Sequence, residues 1–125
     1  MRNEEHALRE YIKTLTNGAV EYTSGSWKYL MFGNLFVGWY TDTETLTIGT
    51  QVGNVYQTAN SSTIALPTTL NNILYADVVV AKDSYSVWSA VYTCTSSTLY
   101  YRALSALSRA SADYNVRAFV VGTIV

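Results

Sequence analysis

From Tyr22 onward, hydrophobic and polar residues alternate with a period of two, which is typical of half-buried β-strands. The aromatic-rich runs 27–32 and 35–40 are separated by Gly33-Asn34, and this dipeptide predicts a tight hairpin because both residues tolerate a positive φ. Further strands are predicted at 45–48, 63–66, 73–81, 85–93, 98–104 and 116–124. The pattern therefore predicts an all-β domain, an antiparallel β-sandwich of about six to eight strands.

The run 86–93 shows how both faces of one strand are used. One face of the predicted strand carries Val87, Ser89, Val91 and Thr93, and the other carries Trp88, Ala90 and Tyr92. Because both sets contain large apolar residues, we expect both faces to be partly covered.

Three segments interrupt the alternation. Residues 51–62 read as a long, polar and uncharged loop, a kind of connection that is often functional or mobile. Residues 67–72 read as a shorter polar turn. Residues 103–112 fit either a helical turn or a β-bend, and the sequence does not decide between them.

The chain begins with a helical pattern. Asn3 is a suitable N-cap, and Leu8, Ile12 and Leu15 follow at helical spacing up to the stop signal Asn17-Gly18. We therefore divide the chain into an N-terminal helix at 1–18 and a β-sandwich domain at 19–125. The narrow apolar stripe of the helix either packs on the β-domain or forms the end of a three-stranded coiled coil, and two heptads do not distinguish these.

Charge is distributed unevenly along the chain. Seven of the seventeen charged residues lie in the first 21 positions, whereas 45–76 and 84–101 carry none. A net charge of −1 argues against a nucleic-acid partner, which needs a basic face. No apolar run approaches the ~20 residues of a membrane span, and the charged start lacks the apolar centre of a signal peptide. We expect neither membrane insertion nor nucleic-acid binding.

Candidate catalytic groups are few. The single histidine, His6, lies in the predicted helix, and the single cysteine, Cys94, is expected to be a partly buried strand residue. Asp77, or the pair Asp42 and Glu44, could act as the carboxylates of a glycosidase, although a charge within an apolar strand is more simply explained by a paired or water-facing side chain. No nucleotide, metal or nucleophile motif occurs. The sequence predicts no enzyme activity, no metal and no cofactor.

The composition suits a binding surface. The chain has eleven Tyr, three Trp, sixteen Thr and twelve Ser, and such residues combine rigid amphipathic rings with adaptable hydrogen bonds. Flat aromatic rings also fit the C–H-rich faces of sugars. The high strand propensity of tyrosine explains many of these residues, but it does not explain Tyr56 in the polar segment 51–62. The candidate ligand contacts are Asn54, Tyr56, Gln57 and Asn60 in that segment, and Tyr114 and Asn115 before the last strand.

Several motifs follow one another in a recognisable order. Trp27-x-Tyr29 and a turn at Gly33 lead to a strand ending in Gly38-Trp39, then Ile64-Ala65-Leu66-Pro67 precedes the strand 73–81, and the domain closes on 116–122. This order, over about residues 25–122, resembles the C-terminal receptor-binding domain of phage tail fibres, an H-type-lectin-like β-sandwich. The final strand differs from that pattern in having Phe119 where Trp is usual.

The resemblance implies a homotrimer, held by a fibrous stem, that faces the host surface with its distal loops. The leading hypothesis is a tail-fibre tip module that recognises a host-surface glycan or protein without catalysis. Such a module would be made in the host cytoplasm, reside in the virion and act extracellularly, with other tail-fibre or baseplate proteins as further partners. The alternatives are a structural virion component, such as a baseplate or fibre connector, and a small glycan-cleaving enzyme.

Overall fold

The computed structural model describes residues 20–124, and nine β-strands account for most of them. Their bounds are β1 Val20–Ser24, β2 Trp27–Phe32, β3 Leu35–Val52, β4 Val55–Thr58, β5 Ser62–Ala65, β6 Asn72–Ala81, β7 Val87–Cys94, β8 Thr98–Ser105 and β9 Arg109–Thr123. All pairings between these strands are antiparallel. The described part of the chain contains no helix, and the predicted all-β antiparallel class is confirmed.

The strands form one connected sheet with two halves. The larger half has the order β1-β2-β3-β9-β6. In the smaller half β8 lies in the middle, with β7 on one edge and both β4 and β5 on the other. β3 joins the halves, because its register shifts between Ile48 and Thr50 and its end then pairs with β4.

A single hydrophobic core lies between the two halves. β3 contributes Phe36 and Ile48, β9 contributes Val120, and β8 contributes Leu99 and Tyr101, all fully buried. Burying each side chain of this size stabilises the fold by about 1.5–3 kcal/mol. The core thus depends on alternate residues of strands that are far apart in sequence.

Two side-chain hydrogen bonds connect the halves at their edges. The indole Nε1 of Trp27 in β2 donates to the carbonyl oxygen of Ala65 in β5 at 2.8 Å. The hydroxyl of Ser89 in β7 donates to the carbonyl oxygen of Val78 in β6. The polar atoms at these edges are therefore paired although no strand ladder crosses there.

The structure corrects the predicted loop at 51–62. The hairpin at Gly33-Asn34 forms as predicted, with a φ of 58° at Gly33. Residues 45–48 are not a separate strand but part of β3, which continues to Val52 and turns at Gly53, where φ is 61°, into β4. Most of 51–62 is therefore a second hairpin, whose polar strands conceal the alternation. Residues 103–112 form a β-bend between β8 and β9 rather than a helical turn.

β1 is an additional edge strand before the predicted set. All five of its residues are exposed, so its sequence shows no alternation of buried and exposed positions. The predicted helix at 1–18 lies outside the described residues. Among residues 20–124, no helix is long and apolar enough to cross a membrane.

Candidate functional site

The outer surface of the larger half is apolar. We call it the apolar face; it comprises Leu30, Val37, Trp39, Tyr75, Val79, Phe119 and Val121. Register places Val37 opposite Val121 and Trp39 opposite Phe119, so these side chains lie side by side on adjacent strands. Phe119, which is 41% exposed, also meets Tyr75 edge-on with ring centroids 6.1 Å apart. A contiguous exposed patch of this kind marks an interaction surface.

Charged residues of both signs share this side of the sheet: Glu21 of β1 lies opposite Leu30, and Arg117 of β9 lies opposite Val79. One row across the sheet reads Lys28 in β2, Trp39 in β3, Phe119 in β9 and Asp77 in β6. Because neighbouring strands are about 4.8 Å apart, the cation and the anion are separated by roughly 14 Å of apolar surface. Beside Trp39 lies an open groove of about 340 Å³, lined by Gly25, Ser26, Lys28, Trp39 and Thr41.

The outer surface of the smaller half is aromatic. We call it the aromatic face; it comprises Trp88, Ala90 and Tyr92 of β7 and Tyr100, Arg102 and Leu104 of β8. Trp88 lies opposite Leu104, and Ala90 lies opposite Arg102. Trp88 and Tyr92 are 43% and 66% exposed. The small Ala90 between them leaves a notch in the aromatic surface.

Arg102 is fixed by the backbone at the gap between β4 and β5. β4 and β5 share one edge of β8, and the chain bends between them. The Nη1 of Arg102 donates to the carbonyl oxygens of Thr58, at 3.0 Å, and Ala59, at 3.4 Å. The guanidinium also lies 5.7 Å from the ring centroid of Tyr92. The arginine therefore bonds to the backbone at the point where the pairing of β8 passes from β4 to β5.

The structure separates the six predicted contact residues. Asn54 lies exposed at the turn of the β3–β4 hairpin, and Asn60 is exposed in the bend before β5. Gln57 lies opposite Leu104, at the border of the aromatic face, whereas Tyr56 lies opposite the buried Ser105 and is half-buried against the core. These four residues remain candidates.

The predicted pair before the last strand is divided between the core and the surface. Tyr114 is fully buried and meets Tyr85 edge-on, with ring centroids 6.1 Å apart. Burial also raises the pKa of the Tyr114 hydroxyl. We therefore remove Tyr114 from the set, because β9 begins before it and turns its side chain inward. Asn115 is exposed on the outer side of the larger half, opposite Thr43 and Ala81, away from the other candidates.

Asp42 and Glu44 both lie near the hydroxyl of Tyr40, at 3.3 and 3.0 Å, whereas Asp77 lies apart from them on β6. Asp42 is exposed and accepts hydrogen bonds from the hydroxyl of Ser26 at 2.7 Å and the amide of Thr43 at 2.8 Å; these bonds lower its pKa. Tyr40 donates its one hydroxyl proton towards Glu44, whose oxygen is 3.0 Å away. Burial, and then this bond, raise the pKa of Tyr40 well above its usual value. Asp77 is exposed on β6 and accepts the amide of Val78 at 2.9 Å.

Two further expectations concern Cys94 and metals. Cys94 is half-buried and packs against the core, and burial raises the pKa of its thiol. Within residues 20–124, no three His, Cys, Asp or Glu side chains form a group that could hold a metal ion.

The sequence predicted the part of the aromatic face that lies on β7, but not the contribution of Arg102 from β8. The predicted sharing of one side by Trp88, Ala90 and Tyr92 is confirmed. The signal for Arg102 was its isolation, because it is the only charged residue in β4, β5, β7 and β8. Its position opposite Ala90 could not be predicted, since it depends on the pairing of β7 with β8.

Two solved structures share this fold. One is the P. aeruginosa R1 pyocin fibre comprising C-terminal residues 323–701, with a TM-score of 0.59 and 14% sequence identity over 83% of this chain and 28% of that chain. The other is an N-truncated R1-type pyocin tail fibre, with a TM-score of 0.56 and 14% identity over 83% of this chain and 84% of that chain. Neither a family model nor a curated protein matches the sequence. The expected likeness to C-terminal tail-fibre domains is confirmed at the level of the fold.

Proposed function

We propose that this chain is a receptor-binding domain of a tail fibre, which attaches a virion to a host-surface glycan or protein without catalysis. The observation that carries the proposal is the combination of a C-terminal fibre fold with two exposed faces, one apolar and one aromatic. A fibre tip needs one surface for its own assembly and another for its receptor.

The first part of the proposal is that the apolar face joins three copies of the chain. Residues such as Trp39 and Phe119 gain free energy when they are removed from water. Lys28 and Glu21 lie on one side of this face and Asp77 and Arg117 on the other, so each side offers both a cation and an anion to the opposite side of the next copy. An interface that joins two different edges forms a closed ring or an open filament rather than a two-fold dimer. The homotrimer proposed here is such a closed ring, with three copies.

The second part of the proposal is that the receptor binds on the smaller half. The aromatic face offers Trp88 and Tyr92, and the neighbouring segment offers the amide side chains of Asn54, Gln57 and Asn60. Such a shallow surface would bind each receptor weakly. Three copies on one fibre strengthen the attachment through effective concentration without any new contact.

The third part of the proposal is that the domain does not cleave its receptor. A glycosidase needs two carboxylates on either side of the bond that it cleaves, with room for the substrate between them. The hydroxyl of Tyr40 lies 3.3 Å from Asp42 and 3.0 Å from Glu44, so a side chain of the domain itself is bonded between these two carboxylates. This supports binding rather than hydrolysis.

The two exposed faces also fit a second candidate function, a connector within the fibre. A connector would use both faces to bind other virion proteins.

Two measurements on the purified full chain test the proposed function together. Light scattering at micromolar concentration should give three times the chain mass of 13.9 kDa, and labelled protein should bind saturably to cells from a panel of bacteria without releasing sugar fragments. A stable monomer would contradict the trimer. If the wild-type chain releases sugar fragments and the variant Asp77→Asn does not, the domain is an enzyme. If the chain assembles with other virion proteins but binds no cells, it is a connector.

A further inference from the structure

We infer that the notch of the aromatic face binds an anionic sugar, whose carboxylate or phosphate pairs with Arg102 while its ring packs between Trp88 and Tyr92. This inference rests on the proposed function and names the chemical class of the receptor. Three features of the described residues carry it: the lone cation, its fixed orientation and the shape of the surface around it.

The positive charge of Arg102 has no acidic counterpart in its own half of the sheet. β4, β5, β7 and β8 contain no aspartate or glutamate, and the stretches 45–76 and 84–101 are free of charge. Both hydrogen bonds of Arg102 go to neutral carbonyl oxygens. A half-buried guanidinium without a carboxylate partner favours an anion from outside the chain.

The guanidinium is held in an orientation suited to a ligand. Its two bonds to the carbonyls of Thr58 and Ala59 use only Nη1, so within residues 20–124 Nη2 and Nε are left for another acceptor. The ring of Tyr92 lies 5.7 Å from the guanidinium carbon. Because the side chain is already ordered by these contacts, little conformational entropy is lost when an anion binds.

The surface around Arg102 has the dimensions of a short sugar chain. Trp88 and Tyr92 lie four residues apart in β7, which corresponds to roughly 13 Å between their backbone positions in a regular strand, and the register of β7 with β8 shifts at Tyr92. Ala90 forms the floor of the notch between them, directly opposite Arg102. The aromatic rings suit the apolar faces of sugar rings, and Gln57, Thr63 and Tyr100 at the border offer neutral hydrogen-bonding groups. A neutral peptide would leave the arginine without a partner.

The first test compares ligands that differ only in charge. Hexagalacturonate carries a carboxylate on each ring, and its methyl ester has the same rings without charge. Isothermal titration of the full wild-type chain should show affinity about tenfold higher for the acid than for the ester, as expected for a hydrogen bond to a charged group. The preference should decrease as sodium chloride is raised. Equal affinity for the two ligands would overturn the inference.

The second test changes the protein. Ala90→Glu places a carboxylate opposite Arg102, where it would pair with the guanidinium and repel an acidic ligand. Ala90→Gln is the matched control, with the same size and no charge. Because position 90 is exposed, both variants should fold. Because both side chains fill part of the notch, both variants should bind either ligand more weakly, and the readout is the ratio of the affinities for acid and ester. We expect this ratio to stay above one in Ala90→Gln and to fall to one or below in Ala90→Glu; the same ratio in both variants would contradict the inference.

Removal of the arginine and a change of anion complete the design. Arg102→Gln should bind acid and ester equally, whereas Arg102→Lys should keep part of the preference because it keeps the charge. Pentamannose phosphate and pentamannose form a second pair that distinguishes a phosphate from a carboxylate. If the wild-type chain binds cells but prefers neither the acid to its ester nor the phosphate to the neutral sugar, only this inference is overturned. If the chain binds no cells, the proposed function is overturned.

Discussion

The two outer faces of the molecule are similar in exposure but differ in where their charges lie. Trp39 on the apolar face and Trp88 on the aromatic face are 36% and 43% exposed. The side of the sheet that carries the apolar face has charges of both signs, Glu21, Lys28, Asp77 and Arg117, whereas the aromatic face has a single cation in its middle. A large apolar surface accompanied by charges of both signs suits protein association, and a lone cation among aromatic rings suits a small anionic ligand.

The difference explains the low charge content of the chain. Only 14% of the residues are charged, against about 25% in an average soluble domain. Under the proposed function, the low charge leaves a surface in one half of the sheet that other copies can cover. In the other half, Arg102 is the only charged residue of β4, β5, β7 and β8. Exposure alone therefore does not distinguish the two kinds of surface.

The largest expected effect follows from placing a charge in the middle of the apolar face. Phe119→Asp would bury an unpaired carboxylate at each interface, which costs about 3–5 kcal/mol. We expect light scattering to show monomers. The matched control, Tyr92→Asp, makes the same kind of change on the aromatic face and should leave the mass unchanged. Assembly that survives Phe119→Asp would contradict the role of the apolar face.

The next effect concerns the framework that both faces share. At Gly122 an added Cβ would lie 2.5 Å from the carbonyl oxygen of Asn72, so Gly122→Ala forces the backbones of β6 and β9 apart. We expect a loss of about 1–3 kcal/mol in the free energy of unfolding and a lower melting temperature by calorimetry. At Gly49 the same Cβ would have no contact closer than 3.8 Å, and Gly49→Ala should melt close to wild type. Equal melting of the two variants would show that the β6–β9 contact is looser than described.

Alkaline pH should weaken both faces at once because they share one core. Burial, and then the negative charge of Glu44, raise the pKa of Tyr101 from 10 to about 12. The folded chain keeps this proton in a range where the unfolded chain releases it, so the stabilisation is complete below pH 10 and is lost between pH 10 and 12. Two pKa units correspond to about 2–3 kcal/mol.

Denaturant unfolding followed by tryptophan fluorescence from pH 9 to 12 checks this expectation. In the variant Tyr101→Phe, which has no phenol proton at this position, the free energy of unfolding should fall less between pH 10 and 12 than it does in the wild type. An identical decline in wild type and variant would assign the alkaline loss to other groups, such as Tyr40, whose pKa is also raised.

The smallest effect separates the two exposed tryptophans. Trp88→Ala should lower affinity for hexagalacturonate about tenfold, equivalent to about 1.4 kcal/mol, and leave the mass unchanged. Trp39→Ala should weaken assembly and leave the affinity of each copy unchanged. If both variants bound hexagalacturonate more weakly and neither lowered the mass of the assembly, the assignment of assembly to the apolar face and of ligand binding to the aromatic face would be wrong.

The sequence predicted the local features of the fold better than its pairing. Gly33-Asn34 lies between two apolar, aromatic-rich runs and was recognised as a hairpin. The same dipeptide at Gly53-Asn54 also forms a hairpin, but its polar flanking strands hid the pattern. The burial of Tyr114 was missed because β9 extends further towards the N-terminus than its apolar run.

The candidate site was predictable only in part for the same reason. The alternation along one strand identified the side of β7 that carries Trp88 and Tyr92. The contact of Arg102 with the carbonyls of Thr58 and Ala59 joins residues more than forty positions apart, as does the row that contains Lys28 and Asp77. No local pattern specifies such long-range neighbours.

Hydroxyl-radical footprinting of the three tryptophans tests the division between the two faces most directly. In the full chain at micromolar concentration, Trp27, which is 4% exposed, should be unreactive and serves as the reference. The account predicts that Trp39 is also protected by assembly, that Trp88 is oxidised, and that hexagalacturonate then protects Trp88 alone. Equal oxidation of Trp39 and Trp88, with no protection of Trp88 by the acidic sugar, would contradict it.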